Sequence, residues 1–333
     1  MTRGDQQEDS AHSRHCLSVH LYFNAPTIYG QEADSVILNV IAPAIECCRA
    51  QNWIRSFFFV RYWEEAPHIR LRMFGADACM QPLVESTIVE RSGIAHTAST
   101  HGSMQSHSRG TSRGPASAKV VERLSWVSYE PETDRYGGPE ALLVAHRVFA
   151  ASSDAAVTLL KATRSDRARR LGNGLLAMLV LLKTLLAGNQ DVAAFALHFR
   201  HAYLPALSSR SDTQETAWLH VFDDGVGRQT EALATYVGDA LRRLDSRESL
   251  TEPLDRYREA METCREQLCS LQSQRRALDM GRPFASSSEC ISRLLPSYLH
   301  MMNNRLGLTI ADEAYLAHVL HRMLDRFGTT IGC

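Results

Sequence analysis

Residues 15–24 read HCLSVHLYFN, apolar and polar in turn, which predicts a half-buried strand. From Ala33 to Gln51 the apolar positions Val36, Ile37, Val40, Ile41 and Ile45 recur at helical spacing, so a helix follows. Ser56–Trp63 and His68–Phe74 are aromatic and β-branched runs joined by EEAP, a strand pair around a proline-containing turn. Cys79–Arg91 suits another helix. Residues 92–118 then lose every apolar period and fill with Ser, Gly, Thr and His, as expected of a mobile insertion. Lys119–Tyr129 resumes as a strand.

Beyond residue 130 the pattern turns helical, with Pro139 opening a helix just after Gly137 and Gly138. Helices are predicted at about 139–162, 165–188, 190–205, 213–244, 252–277, 287–304 and 311–327, separated by Gly, Pro, Asn and Ser clusters. Strands first and helices afterwards predict an α+β fold, with a strand-rich part of ferredoxin-like character packed on a helical part. The expected organisation is a loose tail over 1–14 and one unit over 15–328. Within that unit, 15–130 holds the strands and the 92–118 insertion, and 131–328 holds the helices. Segment 213–277, long, charged and amphipathic, suits an intrachain bundle face first and a homodimer surface second.

A hydrophobic share of 44% and a charged share of 22% over 333 residues describe an ordinary globular chain. The net charge of −1 gives no global attraction for nucleic acid or anionic membrane, so any basic site is local. Eight cysteines show no CxxC and no zinc-type spacing with His, which reads as reduced thiols in a cytoplasmic protein without a metal. His96, His101 and His107 lie in the polar insertion without regular ligand spacing. The polar start MTRGDQQEDSAHSRH lacks the apolar core of a signal peptide. The most apolar run, Gly174–Gly188, is short of the roughly 20 residues a membrane span needs and contains Lys183, so a buried helix is expected. No Walker motif or GxGxxG is present, and no cofactor is expected.

Against that neutral background, "RYWEEAPHIRLRMFG" places Arg61, His68, Arg70 and Arg72 in the predicted hairpin. Strand parity puts Arg70 and Arg72 on one face and Ile69, Leu71 and Met73 on the other. "YEPETDRYGGPEALL" adds Arg135. On a late helix "LLPSYLHMMNNRLGL" sets His300 and Asn304 four residues apart on one face, with Ser297 one turn earlier and Tyr298 beside Ser297. Guanidinium forks suit carboxylates, and a nearby histidine supplies a group that titrates near neutral pH. Each arginine could equally be a solvated ion-pair partner of Glu64, Glu65, Glu130, Glu132 or Asp134, and His300 alone could be a satisfied core histidine.

Taken together, "SFFFVRYWEEAPHIRLRMFG", "YEPETDRYGGPEALLVAHRVFAASS" and "LLPSYLHMMNNRLGL" resemble, in order and separation, the C-terminal domain of lantibiotic (class I lanthipeptide) dehydratases and its free-standing versions in thiopeptide biosynthesis. The resemblance spans roughly residues 15 to 328. It implies elimination of glutamate from glutamylated Ser or Thr of a ribosomal precursor peptide, leaving dehydroalanine or dehydrobutyrine. Family members of this length also include pyridine synthases, which join two dehydroalanines by a formal [4+2] cycloaddition and release the leader. The third expectation is a non-catalytic leader-binding scaffold, docking peptide on the early sheet with His15 to Asn24 as an edge.

Carried over position by position, the family's important residues match Arg70, Arg72, Arg135 and His300 as catalytic groups. Arg61, His68, Ser297, Tyr298 and Asn304 are the accompanying substrate-binding candidates. The four catalytic candidates are expected within one ligand's reach, about 10–12 Å given the length of Arg side chains, in a groove between the two parts. The implied partners are a leader-bearing precursor peptide and a separate tRNA-dependent glutamylating dehydratase, with no direct nucleic acid and no membrane.

Overall fold

The computed structural model describes residues 16–77, 79–94, 120–164, 166–211 and 213–330. The expected tail over 1–14, nearly all of the 92–118 insertion and the histidines within it lie outside the described residues. The molecule is α+β. It divides into two compact units: residues up to Phe57 with Arg61–Tyr129, and Phe58–Val60 with Glu130 to the C-terminus.

Unit one is built from β1 (Cys16–Tyr22), α1 (Gln31–Val36), a π-helical turn (Ile37–Ile41), α2 (Ala42–Ala50), β2 (Ser56–Trp63, apart from Phe58–Val60), β3 (Pro67–Phe74), α3 (Gln81–Ser92) and β4 (Arg123–Trp126). The strands run in the order β2-β3-β1-β4, with β1 antiparallel to both β3 and β4. A β-α-β-β-α-β succession in that order is the ferredoxin-like arrangement. Alternation divides the sheet into two faces. Val19, Leu21, Ile69, Leu71 and Met73 are wholly buried, as are Ile37, Ile41, Val84 and Ile88 of the helices. Each such side chain contributes about 1.5–3 kcal/mol by leaving water, which holds the sheet to its helical layer.

This order corrects one expectation. β1 is an interior strand, hydrogen-bonded on both sides, and the edges are β2 and β4. Peptide cannot add to β1 as an edge, since its backbone groups are already paired. Alternation reports which side chains are buried and carries nothing about which strands are neighbours.

Unit two is helical: α4 (Pro139–Thr163), α5 (Arg167–Leu185), α6 (Asn189–Ser211), α7 (Glu215–Gly227), α8 (Thr230–Asp245), α9 (Glu252–Ser273), α10 (Ser287–Leu306) and α11 (Ile310–Thr330), with a small hairpin β5–β6 (Leu278–Asp279, Arg282–Pro283) before α10. The segment 213–244 is two helices where one was expected. Gly225 and Gly227 weaken the last turn of α7, and the Thr230 hydroxyl donates to the Val226 carbonyl at 2.9 Å as α8 begins. The expected helix to 277 stops at Ser273, and Met280 and Gly281, both at positive φ, turn the β5–β6 hairpin.

Among the described residues one helix, α4, is long and apolar enough to cross a membrane, and 61% of that stretch is buried inside the protein. The run expected to be the most apolar, Gly174–Gly188, falls mostly in α5, whose Leu175 and Ala177–Leu182 are buried.

Local sequence explains the α10–α11 corner, on which the chemistry depends. Ser286 caps α10 by accepting from the Glu289 amide at 3.0 Å, while Glu289 reaches back to accept from the Ala285 amide, just before the cap, at 2.7 Å. Gly307, at φ 71°, ends α10 in the left-handed conformation. Thr309 then caps α11, accepting from the Asp312 amide at 3.2 Å while Asp312 accepts from the Thr309 amide at 2.7 Å.

Candidate active site

On unit one, the sheet face opposite the apolar one is a grid set by strand register. Tyr22 stands opposite His68 and Arg123, His20 opposite Arg70 and Ser125, and Ser18 opposite Arg72. The imidazoles of His20 and His68 stack with centroids 4.8 Å apart. Arg70 lies over the Tyr62 ring at 3.3 Å, and Arg123 over the Tyr22 ring at 3.7 Å, both cation–π contacts.

Arg70 is held from two sides. Its Nε donates to His68 Nε2 at 3.2 Å, and one terminal nitrogen donates to Glu64 at 2.8 Å. Because His68 Nε2 accepts, the ring proton sits on Nδ1 and donates to the Ala66 carbonyl at 2.9 Å. His68 is thus a neutral imidazole with both nitrogens engaged, and burial above all lowers its pKa. It orients Arg70 and has no free atom for a ligand.

Arg72 differs from Arg70. It is half-buried, lies 5.6 Å from the Tyr129 ring, and among the described residues its one hydrogen bond is to its neighbour's carbonyl, at 3.5 Å. Among the described residues no carboxylate pairs with it. A desolvated guanidinium without an internal anion is suited to one that arrives.

Arg61 is excluded from this set, which corrects its reading as a substrate-binding residue. It shares its side of β2 with Phe57 and Phe59, is 1% exposed, and pairs with Asp34 at 2.6 Å while donating to the Ile28 carbonyl at 3.1 Å. Its charge is used inside unit one, where removal of either partner would leave an uncompensated buried ion.

On unit two, Arg135 is exposed and pairs with Glu132 at 3.0 Å. The turn behind it is rigid. Gly137 and Gly138 take φ 87° and 93°, the Gly137 carbonyl accepts from the Leu278 amide at 2.8 Å, and a Cβ on Gly137 would stand 3.0 Å from the Ala141 Cβ. Tyr136, buried beside Arg135, hydrogen-bonds Ser297 at 2.8 Å, fastening this turn to α10.

His300 lies across the α10–α11 corner from Glu313, its Nδ1 2.9 Å from Glu313 Oε1. Asn303 Nδ2 donates to the other oxygen at 3.3 Å. Glu313 is wholly buried, and burial raises its carboxyl above the usual range against the opposing pull of His300 and Asn303. When Nδ1 donates to Glu313, Nε2 is the nitrogen that carries the lone pair, on a side chain that is 27% exposed. The Tyr203 ring is 6.2 Å from this imidazole.

Tyr298 and Asn304 are placed differently from the expectation of ligand contact. Tyr298 is 1% exposed, stacks parallel to Tyr136, and has its hydroxyl sealed in the core of unit two. Asn304 is also buried. Glu313, Asn303, Tyr203, Ser18 and His20 are site residues that the sequence reading did not single out. Among the described residues no group of three or more His, Cys, Asp or Glu could hold a metal ion.

The fold and these motifs have a known counterpart. The chain belongs to the family of lantibiotic biosynthesis dehydratase C-terminal domains, whose model matches residues 17–324. Its backbone is similar to the crystal structure of TsrL, with 15% identity, TM-score 0.68 and 95% of each chain covered. It is equally similar to TbtD, the pyridine synthase from thiomuracin biosynthesis, with 17% identity, TM-score 0.68, and coverage of 95% of this chain and 100% of that one. MibB, the tRNA-dependent lantibiotic dehydratase from Microbispora sp. 107891, matches with 20% identity and TM-score 0.55, over 95% of this chain but 28% of MibB. No curated protein matches in sequence.

Proposed function

We propose that this chain eliminates glutamate from glutamylated Ser or Thr residues of a ribosomal precursor peptide, in the cytoplasm. The observation that carries the reading is the His300–Glu313 pair: a partly exposed imidazole backed by a buried carboxyl group. In the elimination the Cα–H bond breaks, the Cα=Cβ bond forms, and the Cβ–O bond breaks as glutamate departs as a carboxylate. His300 Nε2 takes the Cα proton as general base, and Glu313 stabilises the imidazolium that results. Arg70 and Arg72 bind the glutamyl group and the leaving carboxylate, and Arg135 supports the negative charge that develops on the carbonyl. The peptide arrives already activated by a separate tRNA-dependent glutamylating protein, and its leader supplies most of the affinity.

Replacing His300 or Arg135 with Ala tests this. Glutamate loss from a glutamylated peptide, followed by mass, should slow by about 10²–10⁴ while leader binding is retained. Unchanged rates in both variants would remove the reading.

A second reading is pyridine synthesis, favoured by likeness in fold to TbtD over the whole of that chain. The same imidazole would then move a proton during formal [4+2] addition of two dehydroalanines. Absence of both reactions, with leader binding intact, would leave the scaffold role.

A further inference from the structure

The β1 positions of the unit-one face hold two polar groups that the proposed roles do not use. Ser18 is 3% exposed, and its hydroxyl has no hydrogen-bond partner among the described residues. His20, two residues along on the same face, has a buried Nε2 that is likewise without a partner among them. Ser18 stands opposite Arg72 and His20 opposite Arg70 in the β1–β3 register. Two buried orphan groups beside a guanidinium that lacks an anion form an unfilled set of anion ligands, since buried polar atoms are otherwise nearly always bonded.

We propose that Ser18 and His20 complete, with Arg72, a pocket for one carboxylate, and that its occupant is the free carboxylate of the glutamyl group. Arg72 supplies the charge, and the Ser18 hydroxyl and His20 N–H supply directed donors. The ring of His20 stacks on His68, whose tautomer is fixed, so its orientation is set before a ligand arrives. Burial first, then the charges of Arg72, His68, Arg70 and Arg123, bring the pKa of His20 down to about 3, so it stays a neutral donor at working pH. Further along the same strand Cys16 is held as a thiol, chiefly by burial, with its pKa pushed up to about 12, so it adds no competing negative charge. The site therefore specifies an acidic adduct and disfavours a neutral acyl group.

The occupant rests on the elimination reading, so binding is measured apart from turnover. The full chain is titrated calorimetrically with L-glutamate, as wild type, Ser18→Ala and His20→Phe, with thermal unfolding confirming that the variants fold. Wild type is expected to bind in the millimolar range. Each variant should bind about tenfold or more weakly, the usual effect of losing a hydrogen bond to a charged group. In the glutamylated-peptide reaction the same variants should raise KM. Equal glutamate affinity in wild type and both variants, or no wild-type binding at about 10 mM, overturns the pocket. If glutamate binds with this dependence while no glutamate is lost from peptide, the pocket stands and the elimination reading falls.

Discussion

Glu313 Oε1 and His300 Nδ1 stand 2.9 Å apart across the α10–α11 corner, and the carboxylate is wholly buried while the imidazole is partly open. A raised pKa on a buried carboxyl means that its charge opposes folding: its stabilising share is present at low pH and is lost as pH rises through the folded value. Glu313→Gln, which keeps the length and an acceptor oxygen, should therefore gain thermal stability over wild type at pH 8 and show little gain at pH 4. Elimination should fall about tenfold or more through kcat, with KM little changed, corresponding to ~1.4 kcal/mol of transition-state stabilisation. A variant that is both less stable and fully active would show a structural carboxylate instead.

Arg70→Lys should be nearly as harmful as Arg70→Ala. Lysine carries one charged nitrogen and cannot both donate to His68 Nε2 and reach Glu64 in the fixed geometry of a guanidinium. Peptide turnover should drop about tenfold or more while the unfolding midpoint moves little, because the Glu64 end of the pair is exposed and contributes about 0–1 kcal/mol.

Gly138→Ala tests the turn that carries Arg135. At φ 93° and ψ 177° the backbone occupies a region open essentially to glycine, so alanine should cost about 1–3 kcal/mol in chemical denaturation. Activity should fall further than Arg135→Ala plus that destabilisation predicts only if the turn also sets Tyr136 and Ser297, joined at 2.8 Å.

His318 of unit two should contribute to the acid limit of stability. His318 is 2% exposed, accepts from Arg200 at 2.7 Å and donates to Asp223 at 3.1 Å, and burial first brings its pKa to about 4. A depressed histidine stabilises the fold fully above about 6.5, and that contribution is lost as pH falls toward 4, at up to about 1.4 kcal/mol per pH unit. Denaturation midpoints measured between pH 7 and 4.5 should fall in wild type and fall less steeply in His318→Gln.

Periodicity made most of this fold legible. Alternation in HCLSVHLYFN and helical spacing from Val36 to Ile45 located β1 and the first helical stretch, because side-chain burial is a local property. Strand order and ion pairing are not local. Arg61 and Arg70 look alike in sequence, yet Asp34, 27 positions before Arg61, draws only the former into the interior. Glu313 sits in the first turn of α11, where an acidic residue is the ordinary complement of the helix dipole, and that role concealed its contact with His300. Gly225 and Gly227 did mark the break in 213–244 and were outweighed by the amphipathic pattern on either side.

The central claim is tested most directly by offering the purified chain two peptides, one bearing glutamylated Ser and one already bearing two dehydroalanines, and following both by mass. The account predicts loss of a glutamate equivalent from the first, dependent on His300 and Arg135, and no change in the second. Loss of the leader from the second peptide with formation of a six-membered nitrogen ring, and no reaction of the first, would contradict it.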